Sequence, residues 1–225
     1  MEPFPPRRLI AFLLVHIFLL GCTDTEAPSA TPEGGHEIYV KDGEISPLLL
    51  SVTAVDDELW MCGGARGPSG GRVVRVDGGR LLDVPIPPGP TLWWIWAGLE
   101  GQLMAVGEKG RLLQRLAGEW VESFPYDDPK VTLWGGWSDS EGGHWLVGGS
   151  RDLHGPKGIL LHSSGRQAWE SLDTGSLGVT GNLYKAWGAS EDSIYFVGEN
   201  GVILHWNGRM LSKVQCDVET LLFTV

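Results

Sequence analysis

From Leu48 onward the hydrophobic residues fall in short runs separated by glycine, asparagine and aspartate, and they do not recur at helical spacing. That pattern predicts strands joined by tight turns. Ala186–Arg209 shows the unit most clearly. Trp187-Gly188 is followed by the run Ile194-Tyr195-Phe196-Val197 and the turn Gly198-Glu199-Asn200-Gly201. A second run, Val202-Ile203-Leu204-His205-Trp206, ends at the turn Asn207-Gly208. Glycine, at 33 of 225 residues, is abundant where helix formers would otherwise stand.

The unit recurs four times. Aligned on the glycine that closes the second strand, the copies meet at Gly63, Gly107, Gly148 and Gly198, at intervals of 44, 41 and 50 residues. A second glycine (Gly71, Gly110, Gly158, Gly201) opens a third strand, and a turn glycine follows at Gly78, Gly118, Gly165 or Gly208. The first strand of each unit carries Trp96-Ala97-Gly98, Trp134-Gly135-Gly136 or Trp187-Gly188-Ala189, with Val52-Thr53-Ala54 in the first copy. A period in the low forties with about four short strands per unit predicts a β-propeller blade. One four-stranded meander has two apolar faces and cannot bury either alone, so blades must stack and cover one another. The expectation is an all-β propeller of about four to five four-stranded blades, with an antiparallel sandwich as the competing reading.

The propeller is expected over residues 36–225, with complete blades opening at about 48, 91, 131 and 182. Glu37–Val40 and the turn Lys41–Glu44 match the third strand of a unit, which makes 36–47 a half blade. Glu219–Val225 matches an opening strand, a partial blade at 219–225. Propellers close by completing one blade from both ends of the chain, which removes the open edge. Here the first end offers two outer strands and the last only one inner strand. Either one blade has three strands, or the chain lacks its C-terminal part; an apolar end without a polar cap favours truncation.

Residues 1–22 stand outside this pattern. Arg7-Arg8 precede the apolar run Leu9–Leu20, which is too short to span a bilayer but suits a signal-peptide core. The run ends in Leu19-Leu20-Gly21-Cys22, which resembles the lipobox of bacterial lipoproteins. That resemblance implies cleavage after Gly21, a diacylglyceryl group on the Cys22 thiol and acylation of the new amino terminus. Several acyl chains on one residue make an anchor effectively permanent. Thr23 rather than Asp follows the cysteine, so the resemblance favours the outer over the inner membrane. An ordinary secretory signal is the alternative. Residues 23–35, polar and rich in Pro, Ser and Thr, read as a flexible tether.

The formal charge of −11 becomes −12 once Glu2, Arg7 and Arg8 leave with the signal. Such a balance argues against nucleic acid as a partner. Besides Cys22, only Cys62 and Cys216 remain; export permits a disulfide, but Cys62 lies at an apolar strand position and reads as a buried thiol. His162 and His205 fall at one repeat position, which Arg75 and Gln114 fill in the other copies. A position that accepts all three types is a solvated strand face, not a ligand set. No HExxH, CxxC, GxSxG or phosphate-loop pattern occurs, so no metal site, no cofactor and no enzymatic activity are expected.

Ser163, Gly165 and Trp169 are similar to part of the Asp-box turn of sialidase-like propellers, but Arg166 departs from it. The whole repeat from Glu37 to Val225 resembles the Trp-Gly, Val-Gly, Gly-x-Ile-Leu-x-x-Trp-Asn-Gly propellers of bacterial lipoproteins. These belong with the photosystem II assembly-factor and sialidase-like superfamily. The resemblance implies a binding or assembly role in the cell envelope, exerted at the membrane through the lipid anchor on an envelope protein or an anionic glycan. A degenerate sialidase-like hydrolase or a carbohydrate-binding lectin is the alternative. The loop between second and third strands is tight at Glu108-Lys109 and Glu199-Asn200 but long at Gly64–Gly70 and Gly149–Lys157. Equivalent loops share one face of a ring. The long ones carry Arg66, Arg151, His154 and Lys157, a candidate rim for an anionic group on an otherwise acidic protein.

Overall fold

The computed structural model describes residues 48–64, 70–152, 154–165 and 168–224. Residues 1–47, where the expected signal, Cys22, tether and half blade fall, lie outside the described residues, as does Arg66.

The described residues form four antiparallel four-stranded meanders, each in simple sequence order. Blade 1 contains β1 (Leu48–Val55), β2 (Glu58–Gly64), β3 (Gly71–Asp77) and β4 (Arg80–Val84). Blade 2 contains β5 (Leu92–Ala97), β6 (Leu103–Gly107), β7 (Leu112–Leu116) and β8 (Glu119–Ser123). Blade 3 contains β9 (Val131–Ser138), β10 (His144–Ser150), β11 (Ile159–Ser163) and β12 (Glu170–Ser171). Blade 4 contains β13 (Leu183–Ser190), β14 (Ser193–Gly198), β15 (Ile203–Trp206) and β16 (Leu211–Lys213).

Alternation decides which residues face which neighbour. Trp60, Cys62 and Val73 of blade 1 pack on Leu92, Ile95, Leu103 and Leu113 of blade 2. Met104, Val106 and Leu112 of blade 2 pack on Val131, Leu133, Leu146 and Leu161 of blade 3. Trp145, Val147 and Leu160 of blade 3 pack on Leu183, Ile194, Phe196 and Leu204 of blade 4. These three interblade layers are the core, and the stacking is that of an all-β propeller.

The outer hairpin turns of blades 1 and 2 hold both central residues at positive φ, Gly78-Gly79 (54° and 78°) and Ala117-Gly118 (48° and 89°). That is the backbone of the tight hairpin turn whose twist matches the strands. Arg111, fully buried, ties blade 1 to blade 2. Its Nε donates to Glu122, its Nη1 to Pro90 O at 3.1 Å and its Nη2 to Pro87 O.

Two expectations change. The register pairs Trp96 with Met104, Trp137 with Trp145 and Trp187 with Tyr195, so the third-copy equivalent of Trp96 and Trp187 is Trp137. The Trp-Gly alignment through Trp134-Gly135-Gly136 is three residues out, because Gly135 mimics the glycine that follows Trp187. Second, Glu219–Thr224 runs where an opening strand would lie but forms no strand. Gly201 N–H donates to Thr220 O at 2.7 Å and Leu222 N–H to Gly198 O at 2.9 Å, and no regular ladder follows. Cys62 is buried and Cys216 exposed, both as free thiols.

Candidate functional site

Near its start, each opening strand has one residue too many against its partner, and β13 has a second unmatched residue, Ala189, near its end. Leu49 pairs with Gly63 and Ser51 with Cys62, leaving Leu50 unmatched. Trp93, Trp134 and Tyr184 are the corresponding unmatched residues of β5, β9 and β13. A bulge of this kind bends the strand and re-aims a side chain out of the ladder. The anchor glycines stand opposite. A Cβ on Gly107 would lie 2.2 Å from Thr91 O, on Gly148 2.5 Å from Thr132 O, and on Gly198 2.1 Å from Asn182 O. The glycines that mark the repeat are therefore what allow the bulges.

The re-aimed side chains make a row. Ring centroids are 4.9 Å apart for Trp93 and Trp134, 5.6 Å for Trp134 and Tyr184, and 5.2 Å for Tyr184 and Phe223. Phe223 follows Leu222 as Trp93 follows Leu92, so the C-terminal segment extends the row. Arg151, from the β10–β11 loop, lays its guanidinium 5.2 Å from the Trp93 centroid and 5.1 Å from that of Trp134. The indole N–H groups of both tryptophans lack an acceptor.

Of the sequence-derived rim, Arg151 joins this row. Lys157 turns inward and donates to Ser150 O, closing its own loop, while His154 is exposed on the same loop. Glu199 anchors the row from below. Burial alone would raise its pKa, but N–H groups of Asn182, the Tyr184 hydroxyl at 2.8 Å and the Lys157 charge together hold it below the usual carboxylate range. Burial, and the bond to Glu199, push the Tyr184 phenol up.

Lys185 was not singled out by sequence reasoning. It is 8% exposed, with Nζ 3.6 Å from the Trp94 centroid, 5.5 Å from that of Phe223 and 3.5 Å from Trp134 O. It has no carboxylate partner among the described residues, and burial lowers its pKa to about 8. Burial pushes the Cys62 thiol up, and the Lys185 charge opposes that shift. The signal that could have found the row is the dipeptide series Leu49-Leu50, Leu92-Trp93, Leu133-Trp134, Leu183-Tyr184, Leu222-Phe223. Chemically, the face offers π surfaces and a stacked guanidinium, a set suited to planar or anionic acceptors. Ser163 and Gly165 form a structural turn in which Gly165 N–H donates to Ser163 Oγ at 3.3 Å.

Fold and face together define a β-propeller. Neither a protein-family model nor a curated protein matches the sequence. Among solved structures, the chain is similar to YCF48 bound to D1 peptide, with 18% identity over 71% of this chain and 50% of that one and a TM-score of 0.57. It is also similar to the extracellular domain of BT4673 from B. thetaiotaomicron, with 12% identity over 83% of this chain and 26% of that one and a TM-score of 0.56. The chain thus spans half the length of the first and about a quarter of the second. At these identities the likeness concerns the fold alone.

Proposed function

We propose that this protein is a lipid-anchored, non-catalytic binding propeller of the bacterial cell envelope, and that its loop face takes an anionic group of a protein partner. The observation that carries the reading is the row Trp93, Trp134, Tyr184, Phe223 with Arg151 laid across it. A propeller has no need of aromatic side chains at its bulges, and Leu50 fills that place in blade 1. The peptide held by YCF48 supports a binding role for this class of fold. The anchor rests on Leu19-Leu20-Gly21-Cys22.

Two experiments test it. Metabolic labelling with an alkyne fatty acid should mark the wild-type chain and not Cys22→Ala; equal labelling removes the anchor. Crosslinking in the native envelope should yield an adduct that Arg151→Ala reduces at least about fivefold, the loss of one charge-assisted contact. Arg72→Ala, on the outer strands, should leave the adduct unchanged. Equal yields for wild type and Arg151→Ala would remove this face from the reading.

A further inference from the structure

The opposite end of the blades, where the β9–β10 and β13–β14 turns lie, has a different character. A cleft of about 410 Å³ opens there between blades 3 and 4. Its rim is Asp139, Glu141, Glu191 and Asp192, and its floor is Trp145, His162 and Trp206. None of the four carboxylates forms an ion pair among the described residues.

The floor is a packed aromatic cluster. The Trp145 ring lies 4.1 Å from His162 and 5.3 Å from Trp206, and Trp206 is half-buried. Burial lowers the His162 pKa, against the pull of Asp139 and Glu170, so the ring adds no positive charge at neutral pH. One buried group in the wall lacks a partner. Asp139, 8% exposed, is not that group: its Oδ1 accepts the N–H groups of Glu141 and Gly143 at 2.9 and 2.7 Å, which fixes the carboxylate in the wall. Trp145, 1% exposed, carries an indole N–H without an acceptor.

The equivalent cleft between blades 2 and 3 is the internal comparison. There the carboxylates are only Glu100 and Glu141, beside Gln114 and His144; Arg115 borders the cleft, but its guanidinium lies over the Trp60 ring of blade 1, 4.9 Å from the centroid. In the blade 3–4 cleft the single cation is Arg209, exposed on the β15–β16 turn, against four carboxylates.

We infer that the cleft between blades 3 and 4 is a second binding site, one that takes an arginine side chain of a partner protein between the Glu191–Asp192 carboxylates and the Trp206 face. A guanidinium is planar, stacks on aromatic faces and forks onto carboxylates, which a compact ammonium does not do. An enclosed negative rim also concentrates cations from solution. This site stands apart from the Arg151 face and does not depend on it.

The test is calorimetric titration of the full chain with blocked hexa-arginine at physiological salt. Glu191→Gln with Asp192→Asn should weaken binding at least about fivefold, and Trp206→Leu by a similar factor. Asp56→Asn with Asp57→Asn, the same charge change on the β1–β2 turn, should leave it unchanged. Equal loss in both double variants would reduce the effect to net charge and overturn the inference, as would no loss in the first. Arg151→Ala should not alter hexa-arginine binding, so this site and the proposed anionic-ligand face fail independently.

Discussion

Lys185→Met should stabilise the protein, and the gain should depend on pH. The Lys185 ammonium is 8% exposed, rests on Trp94 and has one carbonyl acceptor at 3.5 Å. Its pKa falls from 10.5 to about 8, so the unfolded chain holds this proton more tightly than the folded one. The sign follows: folding is penalised wherever the unfolded state binds more protons, and stability rises with pH from about 8 toward 10.5. At one pKa unit per 1.36 kcal/mol, the full penalty below pH 8 is about 3 kcal/mol, of which roughly 1 kcal/mol is recovered by pH 9. Cys62 acts in the opposite sense, since its raised pKa makes the folded state hold a proton that the unfolded thiol loses above its ordinary value of 9.0. Comparing Lys185→Met with wild type at each pH isolates the lysine, and working between pH 7 and 9 stays below most of the thiol titration. Methionine fills the same volume but loses the cation–π contact, worth about 1 kcal/mol, so the net gain at pH 7 should be about 2 kcal/mol. Urea unfolding followed by tryptophan fluorescence measures it directly. If Lys185→Met and wild type keep the same stability difference at pH 7 and pH 9, the buried-ammonium reasoning fails.

Other variants test the frame. Gly198→Ala puts a Cβ 2.1 Å from Asn182 O and should cost at least about 2 kcal/mol, read as a melting temperature lower by about 5 °C. Gly175→Ala, whose nearest neighbour would be Asp173 Oδ1 at 3.4 Å, should stay within about 0.5 kcal/mol of wild type by the same assay. Arg111→Met frees Glu122 and the carbonyls of Pro87 and Pro90, and should cost about 2 kcal/mol in urea unfolding.

Much of the fold was legible because backbone geometry leaves marks in sequence. Gly78, Gly118, Gly165 and Gly208 all have positive φ, the reason glycine recurs there. His162 and His205 pair with Trp145 and Tyr195 as Arg75 and Gln114 pair with Trp60 and Met104, so the shared repeat position was real. The misplaced Trp134 has a physical origin. A bulge inserts a residue without a compositional mark, and β9 carries tryptophan both at the bulge and three residues later. Sequence spacing cannot tell a laddered tryptophan from a re-aimed one. Lys185 escaped notice for a similar reason. Its place in the strand looks solvated by type, and only the approach of Trp94 from blade 2 encloses it. The basic rim was partly legible: Arg151 reaches the aromatic row, whereas Lys157 is held by its own loop.

The four blades also separate what the frame demands from what it leaves free. Opposite each bulge the glycine is fixed, because any Cβ there meets a carbonyl oxygen of the neighbouring strand. The bulged residue itself is unconstrained by pairing, and blade 1 fills it with Leu50. Blades 2, 3 and 4 fill it with Trp93, Trp134 and Tyr184, and the C-terminal segment adds Phe223 in line. Three consecutive aromatic choices at a position that accepts leucine, with Phe223 in line and Arg151 spanning two of them, are not required by packing within any blade. The same contrast holds along the outer strands, where the repeat position filled by Arg115 over Trp60 in blade 2 is filled by Trp206 against Trp145 in blade 4. Where a repeat fixes its glycines and varies its side chains at one site per blade, that freedom is what the proposed binding face rests on.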